Sequence, residues 1–203
     1  MKKILSRKVM KKIHSWLMMK MILNTNLNDT ARLHALQPTD AEDIFRAIDS
    51  QRDYLGKWLP FVEFTRSVED SVQFVTEALE LPEDKKEHLF AIRVNDSFAG
   101  LIGFKDTDRM NRKTEIGYWL CEPYQGKGIM TAAVKALCDF AFQELNMNRI
   151  QIKCAVGNEP SKRIPRRLGF TFEGIERDGE LLTGGIYTDI EVYSLLKLDV
   201  APQ

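Results

Sequence analysis

The residues from Tyr124 to Thr131 could bind a phosphate group. They read Y-Q-G-K-G-I-M-T and lie between a strand-like run and the most regular helical pattern of the chain. A glycine-rich turn that enters a helix presents unpaired backbone N–H groups and the positive end of the helix dipole, and both attract phosphate. The spacing excludes a P-loop, because Lys127 lies between Gly126 and Gly128, and no Rossmann G-x-G-x-x-G run is present.

The segments on either side of this turn form a strand–helix–strand pattern. Upstream, Glu115 to Leu120 alternates in the manner of a strand, and Pro123 ends it. Downstream, an apolar helical face is formed by Val134, Leu137, Cys138, Ala141 and Leu145. The run from Ile150 to Val156 alternates as the next strand. The sequence therefore predicts a βαβ unit with the glycine turn between its first strand and its helix.

An ordered set of motifs resembles the GNAT superfamily of acetyl-CoA-dependent N-acetyltransferases, in its ribosomal-protein (RimJ/RimL-like) branch. The set comprises E-I-G-Y-W-L at 115–120, Y-Q-G-K-G at 124–128, N-x-x-S at 158–161, L-G-F at 168–170, E-G at 173–174 and Y-x-D at 187–189. Met130 departs from the family pattern Q-x-x-G-x-[GA]. The resemblance implies one α/β domain, with a mixed, mostly antiparallel sheet of about seven strands and about four helices.

The resemblance also implies a cofactor site for acetyl-CoA as co-substrate. Backbone groups of Trp119, Leu120 and Cys121 would pair with the pantetheine arm as an added strand does. Asn158 and Ser161 match the family pair that touches the pantetheine. The pyrophosphate would be held by the amides of Gln125, Gly126, Lys127, Gly128, Ile129, Met130 and Thr131.

Acetyl transfer to an amine needs a base for the amine and a proton for the departing thiolate. Glu115 is the candidate base, with an exposed charge at a strand start as the alternative. Ser161 is the family's candidate acid, but Pro165 follows four residues later and favours a role as helix N-cap only. Tyr187 is the alternative acid, unless it simply packs at the sheet edge.

Aromatic residues near Pro60 could line the pocket of the acceptor amine. Trp58 and Phe61 are not at helical core spacing, so they are candidate substrate contacts, with plain packing as the alternative.

The segment that contains them follows a predicted strand at 32–36 and a helix over 41–48. Thr39 and Glu42 have the spacing of a capping box for that helix, and Ser67 with Asp70 could cap the next one. Strands over 89–94 and 98–104 follow.

The chain has no net charge, but its charge is unevenly distributed. Residues 1–20 carry seven Lys and Arg and no acid, which leaves 22 basic against 29 acidic residues in the remainder. We therefore predict a basic extension over 1–20, outside the fold, and an acetyltransferase domain over 21–200. The extension could be a membrane-surface helix, a targeting segment or a mis-assigned start. The acidic body favours cationic partners, and neither a nucleic acid nor a membrane is predicted as a partner.

The cysteines and histidines predict neither disulfides nor a metal site. Cys121, Cys138 and Cys154 are odd in number and fall in strand and helix patterns, which is typical of a reduced, cytoplasmic protein. The three histidines are scattered along the chain.

The predicted function is acetyl transfer from acetyl-CoA to a primary amine, namely the N-terminal α-amine of a protein such as a ribosomal protein. Two alternatives remain, a small-molecule amine acetyltransferase acting on a polyamine or aminoglycoside, and a non-catalytic acyl-CoA-binding regulatory domain. A homo-oligomer is compatible with the sequence.

Overall fold

The computed structural model describes residues 25–27, 30–82, 85 and 87–200, in which helices cover both faces of one sheet. The strands are β1 Thr25–Asn26, β2 Ala31–Ala35, β3 Leu89–Val94, β4 Ser97–Asp108, β5 Lys113–Leu120, β6 Arg149–Ala155, β7 Thr171–Leu182 and β8 Ile186–Leu196. The helices are α1 Ala41–Asp49, α2 Arg52–Leu55, α3 Val68–Glu80, α4 Ile129–Gln143 and α5 Glu159–Arg167. The predicted basic extension over 1–20 lies outside the described residues.

The strands lie in the order β1-β2-β3-β4-β5-β6-β8-β7. Only the β5–β6 pair is parallel, and all other neighbours in this described sheet are antiparallel. Seven of the strands have at least five residues, and four of the described helices have at least nine. The predicted mixed, mostly antiparallel sheet with about four helices is therefore confirmed. The predicted βαβ unit is β5, α4 and β6.

Successive apolar residues of the strands pack into hydrophobic cores on opposite faces of the sheet. In β3, Phe90 and Ile92 join the core beneath α4, whereas Ala91 joins the core beneath α1 and α3. α4 is largely buried because it is apolar around much of its circumference: Phe140 and Phe142 are buried as well as the face of Val134, Leu137 and Ala141.

The capping pattern differs from the prediction at the start of α1. Thr39 and Glu42 do not form the box; instead the Asp40 carboxylate accepts a hydrogen bond from the Gln37 N–H at 2.9 Å. The predicted cap of α3 is confirmed, because Ser67 is its N-cap and the Asp70 carboxylate accepts from the Ser67 N–H at 2.8 Å.

Asp40 is drawn inward because it is the acid of a buried ionic cluster. Its fully buried carboxylate lies 2.6 Å from the Arg93 guanidinium and 3.1 Å from His34 Nε2. Burial acts to raise the pKa of Asp40, but the hydrogen bonds from His34, Arg93 and the Gln37 N–H outweigh it and hold the pKa below its ordinary value. Asp40 therefore stabilises the fold as a carboxylate and ties α1 to β3.

We expect Asp40→Ala to lower the free energy of unfolding by about 2 kcal/mol at pH 7, because His34 and Arg93 lose a fully buried hydrogen-bond partner, while Asp43 still pairs with Arg93 at 2.7 Å. Asp139→Ala removes an exposed ion pair with Lys135 within α4 and should cost less than about 1 kcal/mol. Because the pKa of Asp40 is lowered in the folded state, its contribution to the free energy of unfolding is complete above its ordinary pKa of 3.8 and is lost as the pH falls below that value. Urea unfolding at pH 7 and below pH 4 measures the free energy of unfolding of both variants and its dependence on pH. Equal losses of this free energy in the two variants would contradict the prediction.

Candidate active site

The predicted phosphate-binding turn lies where the chain leaves β5 and enters α4. Gly126 and Gly128 both have left-handed backbone angles, with φ of 71° and 76°, and Gly128 is the N-cap of α4. Glycine adopts such angles without steric cost, so the turn can aim its backbone N–H groups outward at the helix N-terminus. All residues from Gln125 to Thr131 line a cavity of about 360 Å³.

The short helix α2 supports this turn from the side. The Gln51 side-chain oxygen accepts a hydrogen bond from the Glu122 N–H at 2.8 Å, and the Gln125 side-chain amide contacts the Tyr54 hydroxyl. Tyr54 also lines the cavity.

The cavity beside the turn, which we call the cofactor cavity, is cationic. Its lining contains Lys127, Arg163 and Arg167 and no Asp or Glu among the described residues. Arg167 donates a hydrogen bond to the Thr131 hydroxyl at 3.1 Å, which fixes its guanidinium beside the first turn of α4. Although the chain beyond residue 20 has more acidic than basic residues, this cavity presents positive charge where a phosphorylated ligand would lie. We did not predict Arg163 and Arg167, although their i, i+4 spacing after Asn158 was visible in the sequence.

The strands β5 and β6 separate next to this cavity. They pair only from Lys113 to Glu115 on β5, opposite Arg149 to Gln151 on β6. Beyond Glu115, β5 remains paired with β4 on its other side. One edge of β5 is therefore left facing a gap, as the prediction of a strand-like pantetheine contact requires.

The backbone groups that face the gap differ in part from those predicted. The Cys121 N–H donates to the Ala99 carbonyl on β4 at 2.8 Å, so Cys121 points its N–H away from the gap. Because antiparallel partners alternate, the Trp119 backbone also faces β4, contrary to the prediction, and Tyr118 and Leu120 direct their N–H and C=O groups toward the gap. Trp119 and Leu120 line the cofactor cavity with their neighbours, whereas Cys121 does not.

Glu115 lies at the last β5–β6 pair, where the gap begins. Its carboxylate is 4% exposed, 2.8 Å from Lys105 Nζ, and accepts a hydrogen bond from the Gln151 side-chain amide at 2.9 Å. The alternative of an exposed charge at a strand start is therefore wrong. Burial acts to lower the pKa of Lys105, but the hydrogen bond and charge of Glu115 outweigh it and raise that pKa. Lys105 is thus a charged partner of Glu115 at neutral pH.

A cluster of hydroxyl and thiol groups lies across the gap. The Ser161 hydroxyl donates to the Tyr118 hydroxyl at 3.2 Å and lies 3.3 Å from Cys154 Sγ. Burial raises the pKa of Tyr118 well above its ordinary value and that of Cys154 to about 11, so both groups keep their protons at neutral pH. Tyr118 was not among the predicted site residues.

Ser161 is not the helix N-cap that Pro165 suggested. Asn158 is the N-cap of α5, and its side-chain oxygen accepts from the Ser161 N–H at 3.4 Å. Pro165 lies inside α5 and has no N–H to donate to the Ser161 carbonyl one turn earlier. The Tyr118 hydroxyl donates to that carbonyl instead, at 3.1 Å. Because Pro165 has no N–H, the Ser161 carbonyl can accept the Tyr118 hydroxyl, and this hydrogen bond brings Tyr118 and Ser161 together.

A second cavity, of about 650 Å³, opens on the other side of this cluster, and we call it the acceptor cavity. Glu115, Lys105 and Cys154 line it, as do the predicted substrate contacts Trp58 and Phe61. The two cavities share six lining residues: Trp58, Leu59, Tyr118, Trp119, Asn158 and Ser161. Ligands in the two cavities would therefore meet beside the hydroxyls of Tyr118 and Ser161.

The acceptor cavity is acidic, in contrast to its neighbour. Its lining includes four acids, Asp70, Glu87, Glu115 and Glu180, and two lysines, Lys105 and Lys153. Each lysine is tied to a carboxylate, Lys105 to Glu115 and Lys153 to Glu176, at 2.8 Å in both cases. This arrangement favours a cationic ligand such as an ammonium group.

Tyr187 lies outside the site that the other candidates form. It is 62% exposed, faces Leu181 across the β7–β8 hairpin and lines neither cavity. A hydroxyl in solvent near the hairpin tip has no path to a ligand at Ser161, so the geometry gives no support to Tyr187 as the acid.

Comparison with known proteins identifies the family. The family model described as an acetyltransferase (GNAT) domain matches residues 31–171. The chain belongs to the GNAT acetyltransferase family. The ribosomal-protein-serine acetyltransferase of Escherichia coli (strain K12) is 30% identical over 168 residues, which cover 83% of this chain and 93% of that protein. The chain is therefore an N-acetyltransferase, as its relatives are named.

Two solved structures of the family contain the co-substrate or its product. RimL, the ribosomal L7/L12 alpha-N-protein acetyltransferase in complex with coenzyme A, has a TM-score of 0.79 and 27% identity, covering 84% of this chain and 96% of RimL. The microcin C7 self-immunity acetyltransferase MccE, in complex with acetyl-CoA and AMP, has a TM-score of 0.80 and 29% identity, covering 85% and 96%. Acetyl-CoA is thus the co-substrate of this GNAT enzyme, and the cationic cavity suits its phosphates.

The described part of the chain has neither a metal-binding cluster nor a membrane-spanning helix. No group of three or more His, Cys, Asp or Glu side chains there could hold a metal ion. No helix there is both long enough and apolar enough to cross a membrane.

Proposed function

We propose that this GNAT enzyme acetylates the N-terminal α-amine of a polypeptide, such as a ribosomal protein. The observation that carries the proposal is the meeting of a cationic cavity and an acidic cavity at Tyr118 and Ser161, with the buried Glu115 on the acceptor side. An ammonium group is drawn into the acidic cavity, and the phosphates of acetyl-CoA into the cationic one. The 30% identity to a ribosomal-protein-serine acetyltransferase supports a protein N-terminus as acceptor.

The reaction needs no covalent enzyme intermediate. The acceptor ammonium loses a proton to Glu115, directly or through one water, and its nitrogen attacks the thioester carbonyl carbon. The C–N bond forms, the C–S bond breaks, and the electron pair of the C–S bond leaves on sulfur. Lys105 and Gln151 hold the Glu115 carboxylate at the start of the strand gap, where an amine in the acceptor cavity can reach it.

The departing thiolate takes its proton from the hydroxyl cluster. Ser161 lines both cavities; its hydroxyl turns from Tyr118 toward the sulfur and delivers its proton there, while the Ser161 oxygen takes the second proton of the attacking nitrogen, so that Ser161 is neutral again and the nitrogen is left as an amide. Tyr118 keeps its own proton on the Ser161 carbonyl and acts as the acceptor that orients Ser161. Asn158 positions Ser161 by capping α5.

We expect Ser161→Ala to lower kcat by about 10²-fold, at the lower end of the usual range for an acid, because a thiolate is a comparatively good leaving group. Tyr118→Phe should lower kcat less, since it removes only the orienting hydroxyl. Tyr187→Phe serves as the control and should leave kcat unchanged. Steady-state rates with acetyl-CoA and a serine-initiated peptide test this order. A loss in Tyr187→Phe as large as that in Ser161→Ala would return the acid role to Tyr187.

The expected preference of the enzyme for an α-amine over a lysine side chain follows from the lower pKa of the α-ammonium group. An α-ammonium has a pKa near 8, against about 10.4 for lysine, so a carboxylate base obtains the neutral α-amine far more easily. We expect a peptide with a free N-terminal Ala or Ser and one internal lysine to be acetylated mainly at the α-amine. Mass spectrometry of the products locates the acetyl group. Predominant lysine labelling would contradict the proposal.

One observation favours a second candidate function, acetylation of a small-molecule amine. A cavity of about 650 Å³ is large enough to enclose a drug-sized molecule, and the related MccE is in complex with AMP as well as acetyl-CoA. Turnover with spermidine or an aminoglycoside, and none with peptides, would select this second function.

We propose that residues 1–20 are an extension outside the acetyltransferase domain at 21–200. A cytoplasmic location is supported by the three buried cysteines, none of which forms a disulfide.

A further inference from the structure

We infer that the rim of the acceptor cavity binds apolar side chains that follow the N-terminal residue of the acceptor polypeptide. This inference rests on the proposed function and names the class of polypeptide that the site would select. The rim is formed by Phe61, Phe64 and Phe74.

These three phenylalanines are exposed, although the residue type is usually buried. Phe64 is 70% exposed and Phe74 is 43% exposed, and both line the acceptor cavity with Phe61. They are three of the four exposed phenylalanines in the described part of the chain. Single exposed apolar residues need no explanation, but several around the mouth of one cavity indicate a contact surface.

Two separate segments contribute the rim. Phe61 and Phe64 lie in and just after the 3₁₀ turn at Pro60–Glu63, and Phe74 lies on α3. Pro60 starts this turn, and the capping box of Ser67 and Asp70 starts α3 three residues after Phe64. The apolar surface is therefore held by ordered backbone on both sides.

The size of the cavity points to more than one residue of the acceptor. A cavity of about 650 Å³ is comparable to those that enclose drug-sized ligands, so a terminal Ala or Ser fills only a part of it. If the α-amine lies near Glu115, the following residues must continue through the cavity toward its mouth. The acids Glu87 and Glu180 in the lining disfavour acidic side chains there.

The occupant that fits is thus the N-terminal segment of a polypeptide with a small first residue and apolar second or third residues. A polyamine would use the acids but would leave the aromatic rim uncovered.

The test compares three acceptors: a hexapeptide amide that begins Ser-Leu-Leu, one that begins Ser-Gly-Gly, and serinamide. We expect wild type to favour the leucine peptide over the glycine peptide by roughly tenfold in kcat/KM, because leucine side chains are partly buried on the rim. Phe64→Ser and Phe74→Ser should each move this ratio toward one, with a smaller loss of kcat/KM for serinamide than for the leucine peptide. These are exposed positions, so the variants should fold.

Met110→Ser is the matched control, because Met110 is 95% exposed and lies outside both cavities. Its ratio should equal that of wild type. A wild-type ratio near one, or a ratio that Phe64→Ser and Phe74→Ser leave unchanged, would overturn the inference alone. Failure to acetylate the α-amine of all three acceptors would overturn the proposed function and this inference with it.

Discussion

Glu115→Gln lowers kcat by about 10²- to 10⁴-fold at neutral pH, as expected when a general base is removed. Glutamine keeps the size of the side chain and can still hydrogen-bond to Gln151, but it cannot accept the amine proton. The cofactor cavity does not include Glu115, so the affinity for coenzyme A should be nearly unchanged. The rate at saturating acetyl-CoA, followed across pH, measures the loss.

The matched control is Glu176→Gln, because Glu176 also pairs with a lysine at 2.8 Å but lines neither cavity. That variant should retain the wild-type rate. A Glu115→Gln enzyme with an unchanged pH–rate profile would exclude Glu115 as the base, and comparable losses in both variants would assign the effect to general disruption of the ion pairs.

Gly128→Val should abolish binding of coenzyme A. Gly128 has a φ of 76°, which a β-branched residue tolerates poorly, although its immediate surroundings are open. The turn must therefore take a different backbone path, and the N–H groups at the start of α4 no longer point toward the phosphate site. For wild type, coenzyme A at a hundred times its Kd should stabilise the fold by roughly 2.7 kcal/mol, seen as a raised melting temperature.

Gly184→Val tests whether such strain alone explains the result. Gly184 has a φ of 78° with equally open surroundings, and it lies outside the cofactor cavity. This control should show the full shift in melting temperature on addition of coenzyme A. If Gly128→Val shows the same shift as wild type, the turn is not the phosphate site.

The parts of the site that depend on local sequence could be predicted. The turn at Gln125 to Gly128 is such a part, because glycine spacing and the helix pattern lie within a few residues of each other. The strand that contains Glu115 and the alternation in β6 are local in the same way, and the sheet confirms both.

The parts that depend on distant contacts could not be predicted. The Lys105 that pairs with Glu115 lies on another strand, and the register of β4 against β5 brings them together. Tyr118 became a site residue because Pro165, 47 positions later, leaves a carbonyl free for its hydroxyl. The sequence showed that Pro165 breaks the helical hydrogen-bond pattern, but not which group would replace the missing donor.

Tertiary context also overrode one prediction that used a sound local rule, and it places one motif residue in solvent. Thr39 and Glu42 have the spacing of a capping box, yet Asp40 caps the turn because Arg93 and His34 hold its carboxylate inside. Tyr187 lies in a family motif, but the β7–β8 hairpin directs it to solvent, away from Ser161.

The most direct test of the account is a crystal structure with coenzyme A and an acetylated serine-initiated peptide bound together. We expect the thiol sulfur within hydrogen-bond distance of the Ser161 or Tyr118 hydroxyl, and the acetylated nitrogen in the acceptor cavity, joined to the Glu115 carboxylate directly or through one water. A peptide bound outside that cavity, or a sulfur remote from both hydroxyls, would contradict the account.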